Sequence, residues 1–138
     1  KHVSIDELEN WLRDVCTNLR HTLRHERTDS TMKLTEQAKA YINEHYMEND
    51  LSADTLCRHL NVSAAYFSTI FKKEVGQSFV AYLTKVRLEH AVELLRTTED
   101  KTYVIAEEVG YTEPNYFSYV FKKEYGISPS KYRASLQQ

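Results

Sequence analysis

Apolar residues recur at three- and four-residue steps along almost the whole of this 138-residue chain, and no segment shows the alternation of a half-buried strand. The pattern predicts an all-α protein. Residues 4–28 form the first periodic stretch, with Ile5, Leu8, Leu12, Val15 and Leu19 in one stripe flanked by Trp11 and Leu23. Ser4 and Glu7 have capping-box spacing, and Val3 and Leu8 suit a hydrophobic staple. Polar residues 27–32 follow as a linker. Residues 35–46 carry the next apolar side, through Leu34, Ala38, Tyr41, Ile42 and His45 or Tyr46. Two helices are expected behind caps at Ser52 and Ser63, with Thr55 leaving the first capping box incomplete. The longest helix starts behind Ser78 and runs to about Thr97, burying Phe79, Val80, Leu83, Val86, Ala91, Leu94 and Leu95. Another pair follows, its second helix opened by Pro114, and Ser128 and Pro129 begin a last short helix.

Part of this pattern occurs twice. Residues 66–78 and 116–128 align over thirteen positions, nine of them identical, including Tyr-Phe-Ser at the start and Phe-Lys-Lys-Glu in the middle. Each copy places two lysines in its last turn and a glycine, Gly76 or Gly126, after its end; this is an amphipathic helix with cations at its negative pole and a glycine stop. Upstream, the offset between the copies changes from fifty to forty-nine: Leu56 matches Ile105, Cys57 matches Ala106, Leu60 matches Val109 and Val62 matches Tyr111. The second unit therefore has one extra residue in its turn, where Gly110 sits. A small residue, Cys57 or Ala106, falls on the inner face, where two crossing helices must approach closely. Helix, turn and helix, twice over, is the expected layout of a double helix-turn-helix.

The second unit carries Ile105-Ala106, Val109-Gly110-Tyr111, Pro114, Tyr116-Phe117-Ser118, Phe121-Lys122-Lys123, Gly126, Ser128-Pro129 and Tyr132-Arg133. In these residues the chain resembles the DNA-binding domain of the AraC/XylS transcription regulators over roughly residues 35–134, and not over residues 1–30. The resemblance implies two helix-turn-helix subdomains joined by a long central helix, serving as the sequence-specific double-stranded-DNA-binding output domain of a bacterial regulator. The expected boundaries are residues 1–33 for a linker or coiled-coil helix with its polar linker, and 34–138 for the bipartite domain. Within the latter, subdomain one covers about 34–77, the connecting helix about 78–98 and subdomain two about 99–138. A helix of some twenty residues spans roughly 30 Å at about 1.5 Å per residue. That is close to one turn of B-DNA, roughly 34 Å, so it could hold two reading helices in successive major grooves.

A reading helix meets base edges with the N-terminal half of its outer face. Carried over by motif position, the resemblance points to Ala65, Ser68 and Thr69 in the first unit and to Asn115, Tyr116 and Tyr119 in the second as base contacts. Ordinary surface residues would show the same types. Family members often carry an arginine at the positions of Thr69 and Tyr119, so the bidentate arginine–guanine contact is missing here. Asn115 could pair with adenine, and Ala65, Thr69 and the tyrosine rings could meet thymine methyls, which favours an A·T-rich site. Lys72, Lys73, Lys122 and Lys123 are candidate phosphate contacts, with complementation of the helix dipole as the alternative. Arg87, Lys131 and Arg133 are weaker phosphate candidates.

Charge sharpens the alternatives. The net charge is −2, and residues 1–50 carry 7 Lys+Arg against 10 Asp+Glu, leaving residues 51–138 with 11 against 10. A nearly neutral repeat region predicts modest non-specific affinity. It also keeps open a rival, a helical protein-interaction module that has the fold without specific DNA binding. Cys16 and Cys57 fall in different segments and suit reduced, buried thiols of a cytoplasmic protein. No run approaches a membrane span, and no membrane contact is expected. His21 and His25 stand one helical turn apart without a suitably placed third ligand, so neither metal nor cofactor is expected. All three glycines serve turns and helix ends and no nucleophile–base set stands out, so catalysis is not expected. The chain opens at Lys1 without methionine, as expected of a piece of a longer regulator with a sensing or receiver domain ahead of it. RNA polymerase is a further candidate partner. The stripe over residues 4–28 suits either a homodimeric coiled coil or a linker helix packed on that further domain.

Overall fold

The chain divides into two compact segments, residues 1–34 and 35–138. A computed structural model describes residues 30–137. The helix expected over residues 4–28, the His21/His25 pair and Cys16 lie outside the described residues. Residues 30–34 of the smaller segment are helical.

The larger segment opens with residues 35–45, also helical (α1), and continues with α2 (Ala53–Leu60), α3 (Ala64–Val75), α4 (Phe79–Thr97), α5 (Thr102–Glu108), α6 (Pro114–Tyr125) and α7 (Pro129–Leu136). No strand occurs among the described residues, and the predicted all-α class holds. The caps set these bounds. Ser52, Ser63, Ser78 and Ser128 each accept the backbone N–H three residues on, and Pro114 and Pro129 occupy first turns. Gly76 and Gly126 end α3 and α6 in the left-handed region. One expectation is corrected here: the Ser52 box is complete. The Thr55 hydroxyl accepts the Ser52 N–H at 2.9 Å while Ser52 Oγ accepts the Thr55 N–H at 3.2 Å. A threonine at the third helical position thus reaches back as a glutamate would.

Two hydrophobic cores form, and α4 contributes to both. Ala38, Ile42, Leu56, Cys57, Phe67, Phe71, Phe79, Leu83 and Val86 belong to the first. Leu88, Ala91, Leu95, Ile105, Ala106, Val109, Tyr111, Phe117 and Phe121 make the second. At 3.6 residues per turn, the α4 residues of the first core and those of the second point roughly 150° apart around the helix axis. This switch of face corrects the single stripe expected of α4. Val80 is 69% exposed, Leu94 is only half-buried, and Leu88, absent from that stripe, is fully buried.

The repeat is also longer in space than in sequence. Phe67 and Phe71 lie 5.3 Å apart with Tyr82 edge-on to Phe71, and Phe117 and Phe121 lie 5.8 Å apart with Tyr132 edge-on to Phe121. Ser78 and Tyr82 on α4 thus correspond to Ser128 and Tyr132 on α7. Each unit closes with a capped helix whose tyrosine seals the phenylalanine pair. Burying each of these four phenylalanines contributes on the order of 1.5–3 kcal/mol.

Candidate nucleic-acid interface

The two turns are built alike and fix where α3 and α6 begin. The Val62 N–H bonds the Cys57 carbonyl at 3.0 Å, and the Tyr111 N–H bonds the Ala106 carbonyl at 2.8 Å. The residue before each, Asn61 or Gly110, has positive φ. The extra residue of the second unit lies between Tyr111 and Pro114.

With Phe67, Phe71, Phe117 and Phe121 buried, the opposite faces of α3 and α6 are left to solvent. Ala65, Ser68, Thr69, Asn115, Tyr116 and Tyr119 are all exposed, the two tyrosines by 57% and 62%. The Thr69 hydroxyl donates to the Ala65 carbonyl at 3.0 Å, which uses its one donor hydrogen within the helix. Tyr116 lies between Tyr111 and Tyr119, tilted against the first at 5.9 Å and stacked on the second at 6.5 Å between ring centroids. Neither helix has an acidic residue in its first turn, although Glu113 stands at the N-cap of α6. Lys72, Lys73, Lys122, Lys123 and Lys131 are exposed, and none of them pairs with a carboxylate among the described residues.

Two candidates leave the phosphate set. Arg87 is 8% exposed, and its Nε and Nη2 donate to the carbonyls of Tyr46 and Glu48, each at 2.8 Å, with the guanidinium 5.2 Å from the Tyr111 ring centroid. Burial lowers its pKa from the ordinary arginine value, with Tyr111 opposing that shift. Arg133 is half-buried, and its three nitrogens donate to the carbonyls of Leu95, Thr98 and Asp100. These are carbonyls at and beyond the end of α4, so Arg133 satisfies a helix terminus and is not free for a phosphate. Arginines mark phosphate contacts and buried carbonyl clusters equally well in a sequence; the fold separates them here.

One further exposed side chain lies beside these residues. Tyr66, 47% exposed in the first turn of α3, occupies the repeat position of Tyr116. The alignment of the two copies already paired them.

The family model described as a helix-turn-helix domain matches residues 56–135. The chain belongs to the AraC/XylS family of transcription regulators. It represents the DNA-binding output domain of such a regulator, from a family of DNA-binding domains rather than enzymes. Over 112 residues it is 40% identical to the raffinose operon transcriptional regulatory protein RafR of Pediococcus pentosaceus, covering 79% of this chain and 40% of that protein. The C-terminal domain of AraT, a response regulator from Geobacillus stearothermophilus, superposes with a TM-score of 0.73 at 44% identity, covering 74% of this chain and 84% of that one. The DNA-binding domain of AdpA, solved in complex with a target DNA, gives a TM-score of 0.70 at 26% identity over 73% of this chain and 90% of that one. The chain spans well under half the length of the curated relatives it matches. No helix among the described residues is long and apolar enough to cross a membrane.

Proposed function

We propose that α3 and α6 enter neighbouring major-groove segments of one duplex. The observation that carries this reading is the repetition: two equivalent helices, each with a buried aromatic inner face and an exposed N-terminal outer face, stand on one connecting helix. At about 1.5 Å per residue α4 spans roughly 28 Å, short of one duplex turn by only a few ångströms. Ala65, Ser68, Thr69, Asn115, Tyr116 and Tyr119 are assigned to base edges, with Tyr66 added on the strength of its exposure. Thr69, its hydroxyl engaged, offers a methyl group. That suits thymine, as Asn115 suits adenine, and supports an A·T-rich site. Lys72, Lys73, Lys122, Lys123 and Lys131 are assigned to phosphates.

The wider protein follows as part of the same reading. Residues 1–33 form a linker or coiled-coil region, and 34–138 form the bipartite domain. AraT's description as a response regulator favours a receiver domain ahead of this chain. A cytoplasmic setting and contact with RNA polymerase complete the picture. Footprinting on a duplex selected from random sequence tests the reading. Two protected major-groove segments about one helical turn apart, on one face, are expected. Protection of a single segment would sink the bipartite claim. The near-neutral charge of residues 51–138 favours the protein-interaction alternative, and the absence of a mobility shift with any duplex at low salt would decide against DNA binding.

A further inference from the structure

Arg87 serves neither core as an apolar residue and faces no solvent, yet it sits where the two helix-turn-helix units meet. Its angular position on α4 lies roughly halfway between the faces buried in the two cores, given about 100° per residue. From there its fork reaches the first unit: Nε and Nη2 hold the carbonyls of Tyr46 and Glu48, in the loop that follows α1. Its charge reaches the second unit at Tyr111, in the turn before α6, with the guanidinium carbon over that ring. The contact continues outward, because the Tyr111 ring lies 5.9 Å from Tyr116 in the first turn of that helix.

Gly110 brings the two units together a second time. A Cβ there would lie 2.7 Å from the Tyr46 carbonyl oxygen and 2.9 Å from Arg87 Nε. The turn of the second unit is thus pressed onto the loop of the first, with only hydrogens between them. Tyr46 packs against both cores and stacks on His90 of α4 at 3.9 Å and 7°. One arginine therefore gathers a loop from one unit, a turn from the other and the helix that joins them.

We infer that Arg87 is a positioning residue for DNA recognition: it fixes the angle between α3 and α6, and so the spacing of the two duplex segments that the chain accepts. The inference rests on the bipartite reading above. Arginine suits the task because its planar fork binds two carbonyls while its delocalised charge sits over an aromatic ring, whereas a lysine offers one mobile point charge. A helix alone would set the distance between the units; the joint adds the rotation of one about the other.

Two measurements on the 138-residue chain test this. In the first, spin labels are placed at K73C and K123C, exposed positions on α3 and α6, with C16S and C57A removing the native thiols. Distances are read without DNA. One narrow distribution is expected with Arg87, a broadened or shifted one for Arg87→Met, and an intermediate one for Arg87→Lys. Circular dichroism shows that the helices persist; if Arg87→Met does not fold, Arg87→Lys decides by the same readouts. In the second, binding is compared on selected duplexes whose two segments are respaced by one or two base pairs, and on duplexes with one segment scrambled. Arg87→Met should keep its single-segment affinity within about twofold while losing about tenfold or more on the two-segment site and accepting altered spacings. An unchanged distance distribution with an unchanged spacing profile overturns the inference. A wild-type chain that gains nothing from the second segment sinks the bipartite reading and the role in spacing, while the spin-label distances still report whether the joint exists.

Discussion

Gly76, Gly110 and Gly126 all hold positive φ, but only Gly110 is also confined. An added Cβ meets nothing within 4 Å at Gly76 or Gly126, so alanine there is strained by conformation alone, at about 1–2 kcal/mol. At Gly110 the same strain is joined by a clash with the Tyr46 backbone, worth a further 1–3 kcal/mol or so. Urea denaturation of the three alanine variants should therefore rank Gly110→Ala as clearly the most damaging; equal losses would show that the close approach costs nothing. The residues proposed to meet base edges make a different demand. Asn115 is exposed, so Asn115→Ala should leave stability nearly unchanged, relax specificity in one segment and cost about 1–3 kcal/mol of binding. An unaltered sequence preference after reselection would remove Asn115 from the readout. Cys57, Tyr46, Tyr111 and Tyr125 share a further property: burial raises each pKa above the ordinary 9.0 of the thiol or 10.0 of the phenols. The fold thus favours their neutral forms. Their contribution is intact below the ordinary values and is lost as pH rises through the raised ones. The urea midpoint should fall on going from pH 8 into the range above about 10, with no loss from these groups on the acid side. What the sequence displayed at this scale was residue type, as with the exposed Asn115 and Tyr119. Hidden were the partners of Arg87 and Arg133, which are backbone carbonyls some forty positions away and leave no trace in side-chain pattern.

Elements were legible wherever a local rule governs them. Serine caps, first-turn prolines and glycine stops act within a few residues, and they place the starts of α3, α4, α6 and α7 and the ends of α3 and α6. The burial of α4 was harder to read, because a helix shared by two cores does not keep one face. Val80 carries the spacing of a buried residue but stands near the start of α4, on a side where neither core reaches it, whereas Leu88 is claimed by the second core. The lysines at the ends of α3 and α6 have two roles open to them, and the two differ in measurable ways. A phosphate contact releases about one counterion, so Lys72→Ala and Lys122→Ala should each weaken binding to all sequences and reduce the slope of log K against log salt by about one. A lysine that only complements the helix dipole is worth about 0.3–1 kcal/mol of stability and leaves that slope untouched. Measuring the salt slope and the urea midpoint on the same two variants separates the roles.

At the scale of the whole molecule the electrostatics are weak. Residues 51–138 carry 11 Lys+Arg against 10 Asp+Glu, and neither α3 nor α6 has an arginine. A domain with so little excess positive charge gains little from the general attraction of the duplex. Joining two domains offers one remedy, since the second then binds at a raised effective concentration. The sequence offers a means in Ile5, Leu8, Leu12, Val15 and Leu19, a stripe that lies outside the described residues. An isolated helix of that length is marginal in water unless its apolar stripe packs against something. Two partners suit it: its own copy, or a domain ahead of it. Leu12→Lys places a charge in the middle of the stripe and tells them apart. If the stripe meets its copy, sedimentation should show the 138-residue chain passing from dimer to monomer. Affinity for a duplex with two complete operators should fall, by up to about 10²-fold, while affinity for one operator holds. Only loss of the dimer predicts that split, because no residue of the reading helices has changed. An unsubstituted chain that sediments as a monomer at high concentration would exclude self-association and leave the stripe to the neighbouring domain.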